Sequence, residues 1–271
     1  MDGGRLRRAV FSTTLVVSTS VVLVFLALPV VAIFTSAGPA DLLASLGDPQ
    51  SVDALLLSLK TTLAALALIV SFGTPAAYLL ASRRFRGRSA VMTIVELPLV
   101  LPPAVAGIGL LVAFGPNGLF GGLFEDAGIA LVLQTAGVIA ALTFVAAPFY
   151  IRQTQSAFEA LDPSLIEAAR TLGASEARAL LTVALPAARS GIVAGLALAW
   201  GRALGEFGAT LMFAGSLRGV TQTVPLAIYE QFATNLTAAL ALSAVLVAIS
   251  AALLLSVKLL AGSPARVHAP R

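Results

Sequence analysis

The sequence predicts an all-α membrane protein, a single domain over residues 1–271 built as a bundle of six transmembrane helices. Two observations carry this. Hydrophobic residues make up 58% of the chain and charged residues 11%, against roughly half and a quarter in soluble domains, so there is too little polar surface to cover a fold in water. The apolar residues are also gathered into runs of about 20 or more, the length that crosses a hydrocarbon core about 30 Å thick.

Those runs place six helices at about 10–35, 54–81, 89–114, 128–151, 188–214 and 236–260. The basic residues support the even number. Arg5, Arg7 and Arg8 precede the first span, Arg83, Arg84, Arg86 and Arg88 separate the second from the third, and Arg152, Arg170, Arg178 and Arg189 separate the fourth from the fifth. The opposite side carries Arg218 beside Asp41, Asp48, Glu125 and Asp126. The positive-inside rule therefore puts both termini in the cytoplasm. The apolar stretch from Ala9 to Phe34 is longer than the 7 to 15 residues of a signal peptide's core, so the first span is expected to be retained.

Composition also excludes chemistries. With no cysteine, the chain has no disulfide, thiolate metal site or cysteine nucleophile. Its one histidine, His268, lies in a Pro- and Arg-containing tail without a second ligand nearby, so neither a metal site nor a catalytic residue is expected. The net charge of +4 sits in short clusters beside apolar spans without interleaved aromatics, which argues against nucleic acid. A P-loop needs a lysine after its glycines, and neither Lys60 nor Lys258 has them. Nucleotide chemistry must come from another chain.

The longest cytoplasmic connection, about 152–189, reads as ordered. Asp162-Pro163 is a strong helix start, since Asp accepts from free N–H groups and Pro is pre-set for the first helical position. Leu165, Ile166, Ala169 and Leu172 then share one face, Gly173 supplies the stop, and Ser175 can cap a second short helix running to Leu185-Pro186.

Glu167-Ala168-Ala169, then Gly173, then Val183-Ala184-Leu185-Pro186 closely resembles the EAA loop of ABC importer permeases, with Val183 in place of Ile the one departure. The resemblance extends from the second span to the sixth. Leu97-Pro98-Leu99-Val100-Leu101-Pro102-Pro103, Phe114-Gly115-Pro116-Asn117-Gly118, Leu204-Gly205-Glu206-Phe207-Gly208-Ala209-Thr210 and Thr221-Gln222-Thr223-Val224-Pro225-Leu226-Ala227-Ile228-Tyr229 look like the molybdate permease branch, which shares parts of these strings with sulfate and tungstate permeases. It implies a permease in the cell (inner) membrane, a homodimer joined by two copies of an ATPase that binds ATP and Mg, and an extracytoplasmic substrate-binding protein. It further implies that Glu167, Ala168, Ala169, Gly173, Leu185 and Pro186 couple the pore to that ATPase. An amphipathic helix lying on the membrane surface is the alternative reading of the loop.

Two intramembrane clusters stand out. Arg202 and Glu206 are four residues apart in the fifth span and share a face with Gly191, Gly195, Ala199 and Ala209. They form either an internal ion pair that locks the bundle or part of the conduction path. The third span holds Glu96 with Pro98, Pro102 and Pro103, followed by Gly107 and Gly109. Prolines remove helix hydrogen bonds, so a kinked or interrupted helix is expected there, as a gate or as a static bend. An ion-coupled secondary transporter using Glu96, Arg202 and Glu206 as a relay is the other transport class. An intramembrane enzyme lacks its motifs, with no HExxH and no GxSxG.

The topology has a direct test. Cysteines placed at Ser45 and Asn117 should react with an impermeant reagent from outside, and those at Arg86 and Ser175 only from the cytoplasmic side. Reaction of Asn117→Cys from inside contradicts the six-span order.

Overall fold

The computed structural model describes residues 3–260, and every regular element among them is a helix. The first half contains α1 (Gly3–Thr35), α2 (Pro39–Leu46), α3 (Pro49–Ser82), α4 (Arg88–Val100), α5 (Pro103–Phe114), α6 (Gly121–Asp126) and α7 (Thr135–Glu159). Then come α8 (Pro163–Thr171), α9 (Glu176–Ala179), a π-helical turn (Leu180–Ala184) and α10 (Leu185–Ala187). The chain closes with α11 (Arg189–Leu204), α12 (Gly208–Ala214), α13 (Val224–Thr234) and α14 (Leu236–Leu260). His268 lies outside the described residues.

Four helices, α1, α3, α7 and α14, are each long and apolar enough to cross a membrane, and two bent helix pairs raise the number to six if each counts as one span. The expected third span is a break rather than a kink. α4 and α5 meet at 119° across Leu101-Pro102. Pro102 and Pro103 cannot donate to Pro98 and Leu99, and each proline forces the residue before it into extended backbone, as the ψ of 133° at Leu101 and 134° at Pro102 record.

The fifth span also differs from a continuous helix over 188–214. α11 ends at Leu204, and Gly205, Glu206 and Phe207 separate it from α12. Elsewhere α3 begins at Pro49, where Asp48 accepts from the Gln50 N–H as its cap. α7 runs on to Glu159, so the first part of the expected loop continues that helix. Residues 224–234, between two expected spans, form α13 with Pro225 in its first turn.

The core is built around α7, which packs on both α3 and α11. Ala65, Leu66 and Ile69 of α3, Val138, Leu142, Ala146 and Tyr150 of α7, and Ala199 and Ala203 of α11 form its buried centre. Small residues set the spacing, because without water to drive association, helices in lipid gain most from close contact. A Cβ at Gly191 would overlap Ala157, and one at Gly195 would lie 3.2 Å from the Tyr150 carbonyl oxygen. The buried Thr61 and Thr62 hydroxyls are satisfied within α3, Thr61 donating to Leu57 O at 2.8 Å and Thr62 to Ser58 O at 2.6 Å. On a second face α5 packs on α12, where a Cβ at Gly107 would lie 2.7 Å from Ala209 O and one at Gly208 would lie 2.8 Å from the Pro103 side chain.

A paired substitution measures this constraint. Gly191→Ala should destabilise the bundle by about 1–3 kcal/mol, the usual cost of overpacking, whereas Gly109→Ala, with nothing within 4 Å of the added Cβ, should not lower stability. Thermal unfolding of the two purified variants in detergent is the measurement.

Candidate coupling surface and intramembrane ion pair

α8 is stopped at both ends by hydrogen bonds that the sequence encodes. Asp162 accepts from the Ser164 N–H at 2.9 Å. That bond holds its carboxyl below the usual carboxylate range, so the cap is complete at neutral pH and fails only as pH falls through the lowered value. At the other end Gly173 has φ +85°. Its N–H donates to Arg170 O at 2.9 Å, and the Ala174 N–H donates to Ala169 O at 3.0 Å, the double closure of a Schellman motif. Ser175 then accepts from the Arg178 N–H at 3.3 Å to start α9. The chain widens to a π turn ahead of Pro186, which has no N–H for Thr182 O, and Leu185 N–H bonds Leu180 O instead.

The apolar face of α8 is divided. Ile166 packs into a cluster with Ala77, Phe158, Ala184 and Ala188, which Leu161, Leu180 and Leu185 also join. Tyr78 and Phe158 stand edge to face there at 5.3 Å. Leu165 and Leu172 instead turn outward, Leu172 being 88% exposed. Glu167, Ala168 and Gly173 are exposed, and Ala169 is half-buried. Of the residues singled out from the sequence, Leu185 is half-buried as part of the anchor, and Pro186 lies exposed beside it. A cavity of about 340 Å³ separates α8 from the end of α3, lined in part by Tyr78, Ser82, Phe158, Ile166 and Arg170.

Charge pairs that sequence reading missed tie this region to the bundle. Arg83, at the end of α3, donates to both oxygens of Glu176 at 2.9 and 2.7 Å, holding the Glu176 carboxyl below its ordinary range. Arg170 lies 3.8 Å from the same carboxylate. Arg88 donates from Nε to Leu80 O and from its other end to Glu159, which also accepts from Gln155. Glu96 in α4 pairs with Arg152 of α7 at 3.0 Å, both half exposed.

Arg202 and Glu206 do meet, at 2.6 Å, although Glu206 lies beyond the last residue of α11. Glu206 is 1% exposed and Arg202 27%. The other Glu206 oxygen accepts from the Ala209 N–H at 2.7 Å, so one carboxylate closes the break, pairing with α11 and capping α12. The two interrupted helices touch where Gly208 packs on Pro103. Gly191, Gly195 and Ala199 share a close face against α7, as their spacing predicts, while Ala209 sits across the break.

Residues 70–263, most of the chain, match the family described as binding-protein-dependent transport system inner membrane components. The chain belongs to this family. It is 44% identical over 235 residues to the molybdenum transport system permease protein ModB of Mycobacterium tuberculosis, covering 87% of this chain and 89% of the relative. Identity to the ModB of Escherichia coli K12 is 40% over 190 residues, 70% and 82% of the two chains. Identity to the sulfate transport system permease protein CysW of Synechocystis is 34% over 236 residues, 86% of each. Among solved structures, a bacterial alginate ABC transporter matches with a TM-score of 0.73 at 19% identity, over 94% of this chain and 93% of the other. The MetNI methionine ABC transporter matches with 0.60 at 21%, over 78% and 94%. At such identities the structures establish the fold, which is that of ABC transporter membrane subunits. The chain is thus a multi-pass membrane permease.

The Arg202–Glu206 pair in this family member is testable through stability. Arg202→Ala leaves a buried carboxylate without its partner and should cost about 3 kcal/mol, the lower end for breaking a buried pair. Arg202→Ala with Glu206→Gln keeps an acceptor for Ala209 and removes the stranded charge, so it should recover most of that loss. Unfolding in detergent decides, and equal stability of the two variants contradicts a buried pair.

Proposed function

We propose that this chain is the transmembrane subunit of an ATP-driven importer of an oxyanion, with molybdate as substrate. In this reading two copies of the chain form the pore in the inner membrane with their termini in the cytoplasm. Two copies of a separate ATPase, which carries the ATP and Mg, dock beneath them, and an extracytoplasmic binding protein delivers the anion. The chain contributes no catalytic residue and no metal ligand.

The observation that carries this reading is the form of α8. It is a short helix fixed at both ends, anchored on one edge through Ile166 and free on the other through Glu167, Ala168 and Leu172. A membrane-surface helix would turn a continuous apolar face toward lipid, whereas here half of that face is spent on the chain's own helices. The small Ala168 permits close approach of a partner, and the rigid ends let displacement of the knob pass to α3, α7 and the π turn. Support for molybdate comes from relatives named molybdenum permeases at 40–44% identity. The sulfate permease at 34% makes sulfate the second reading.

During the cycle, closure of the ATPases would draw the two knobs together, and the bundle would respond at its interruptions, where Pro102 and Pro103 break α4, with Pro98 inside its last turn, from α5 and Glu206 bridges α11 to α12. Glu96 and Arg202, each already paired, would hold those segments in register.

Two substitutions test the coupling role. Gly173→Val forces a branched side chain into left-handed backbone, at about 1–2 kcal/mol, and re-aims the knob without touching the spans. Ala168→Arg places a long charge on the docking face. Both variants should insert into membranes yet lose co-purification with the ATPase, or lose its stimulation by loaded binding protein. Wild-type association, turnover and molybdate uptake in both mean that α8 is not the coupling element. Uptake of sulfate in preference to molybdate by the intact assembly selects the second reading.

A further inference from the structure

The covalent path from the coupling loop into the bundle runs both ways, back through residues 160–162 to α7 and on through the π turn and α10 to α11. It does not reach α4, the helix that leads to the sharpest interruption in the fold. α4 is reached from the other direction, through the short connection that follows α3. Both ends of that connection are held by ion pairs. Arg83 grips Glu176 with two hydrogen bonds at 2.9 and 2.7 Å. Arg88 grips Glu159 of α7 at 2.8 Å while bonding Leu80 O at 2.8 Å. Gly87, with φ +89°, starts α4 directly beside the second grip.

The two grips differ in what they join. Arg88–Glu159 ties α4 to α7, the fixed post of the core. Arg83–Glu176 ties the end of α3 to the first residue of α9, only a few residues beyond the free knob of α8, and Arg170 of α8 approaches the same carboxylate at 3.8 Å. Glu176 therefore stands between the knob and the connection to α4.

We propose that Arg83 and Glu176 are positioning residues that carry movement of α8 across to the α3–α4 connection, and so to the α4–α5 interruption. The proposal rests on the reading of α8 as the coupling element. Both side chains are well exposed, 59% and 42%, and exposed pairs contribute little to folding stability. Both hydrogen bonds come from one guanidinium nitrogen, Nη2, set between the two carboxylate oxygens, and this charge-assisted contact nevertheless holds the two segments at a fixed distance from each other. A contact that hardly stabilises the fold but bridges two moving segments has its effect on transmission. Losing it should leave a folded, assembled transporter that hydrolyses ATP without moving substrate efficiently.

The test uses the complete assembly, permease with ATPase and binding protein, in proteoliposomes loaded with ATP, reading molybdate uptake per ATP hydrolysed. Arg83→Glu and Glu176→Arg alone should each lower that ratio by about fivefold or more, the lower end of ordinary coupling between sites, with ATPase co-purification unchanged. Combining them restores an opposite-charge pair, and Arg170, 54% exposed, has room to turn aside, so the ratio should return toward wild type. Single variants with a wild-type ratio, or a double variant no better than either single, overturn the relay. Absence of ATP-driven uptake by the wild-type assembly overturns the transport reading itself, and the relay with it.

Discussion

Everything in this fold depends on how closely α11 and α3 approach α7. In lipid there is no water to squeeze out between helices, so cohesion comes from atomic contact, and contact needs small residues at the crossings. Gly191 and Gly195 let α11 lie against Ala157 and the Tyr150 carbonyl, and Gly73 lets α3 lie against the Tyr150 ring. Tyr150 is fully buried, and its hydroxyl meets Thr74 at 2.7 Å. With α7 fixed in this way, its cytoplasmic end becomes the frame on which the loop of residues 160–188 is mounted, through Phe158 and its neighbours.

Interruptions are tolerated only where something satisfies the freed backbone. At the α11–α12 break Glu206 does so by capping Ala209, and its own charge is met by Arg202. Burial of an isolated carboxylate would cost several kcal/mol, so the pair belongs to the break as much as to either helix. At the α4–α5 break the prolines have no N–H to leave unpaired, and Ala106 N–H returns to Pro102 O at 3.0 Å. Each break thus carries its own remedy, and the two meet where Gly208 and Gly107 leave no room for a side chain.

Legibility in the sequence followed the range of the interaction. The apolar runs were readable because length and composition alone decide insertion, and the α8 boundaries were readable because Asp162, Gly173 and Ser175 act on backbone within three residues of themselves. The same start signal at Asp48-Pro49 places α3 five residues before the apolar run suggests, and Thr223-Val224-Pro225 marks α13 inside a stretch that reads as a connection. Leu204-Gly205-Glu206-Phe207-Gly208 hid its break because no proline marks it and its neighbours remain apolar. The partners of Glu96, Arg83 and Arg88 were illegible for a different reason, since Arg152, Glu176 and Glu159 lie 56, 93 and 71 positions away and only the packing of α3 and α4 brings them near. The division of the α8 face, Ile166 inward and Leu172 outward, also needed the neighbouring helices to be in place.

The central claim is that the free edge of α8 faces an ATPase while the opposite edge faces the chain's own bundle. Because the chain contains no cysteine, one thiol can be introduced on each edge and examined in native membranes with a short thiol-to-amine crosslinker. Leu172→Cys, on the outward edge, is predicted to give a permease–ATPase adduct, and Ile166→Cys, on the inward edge, is predicted to give none. An adduct from Ile166→Cys with none from Leu172→Cys, or none from either in a membrane that still transports, would contradict the account.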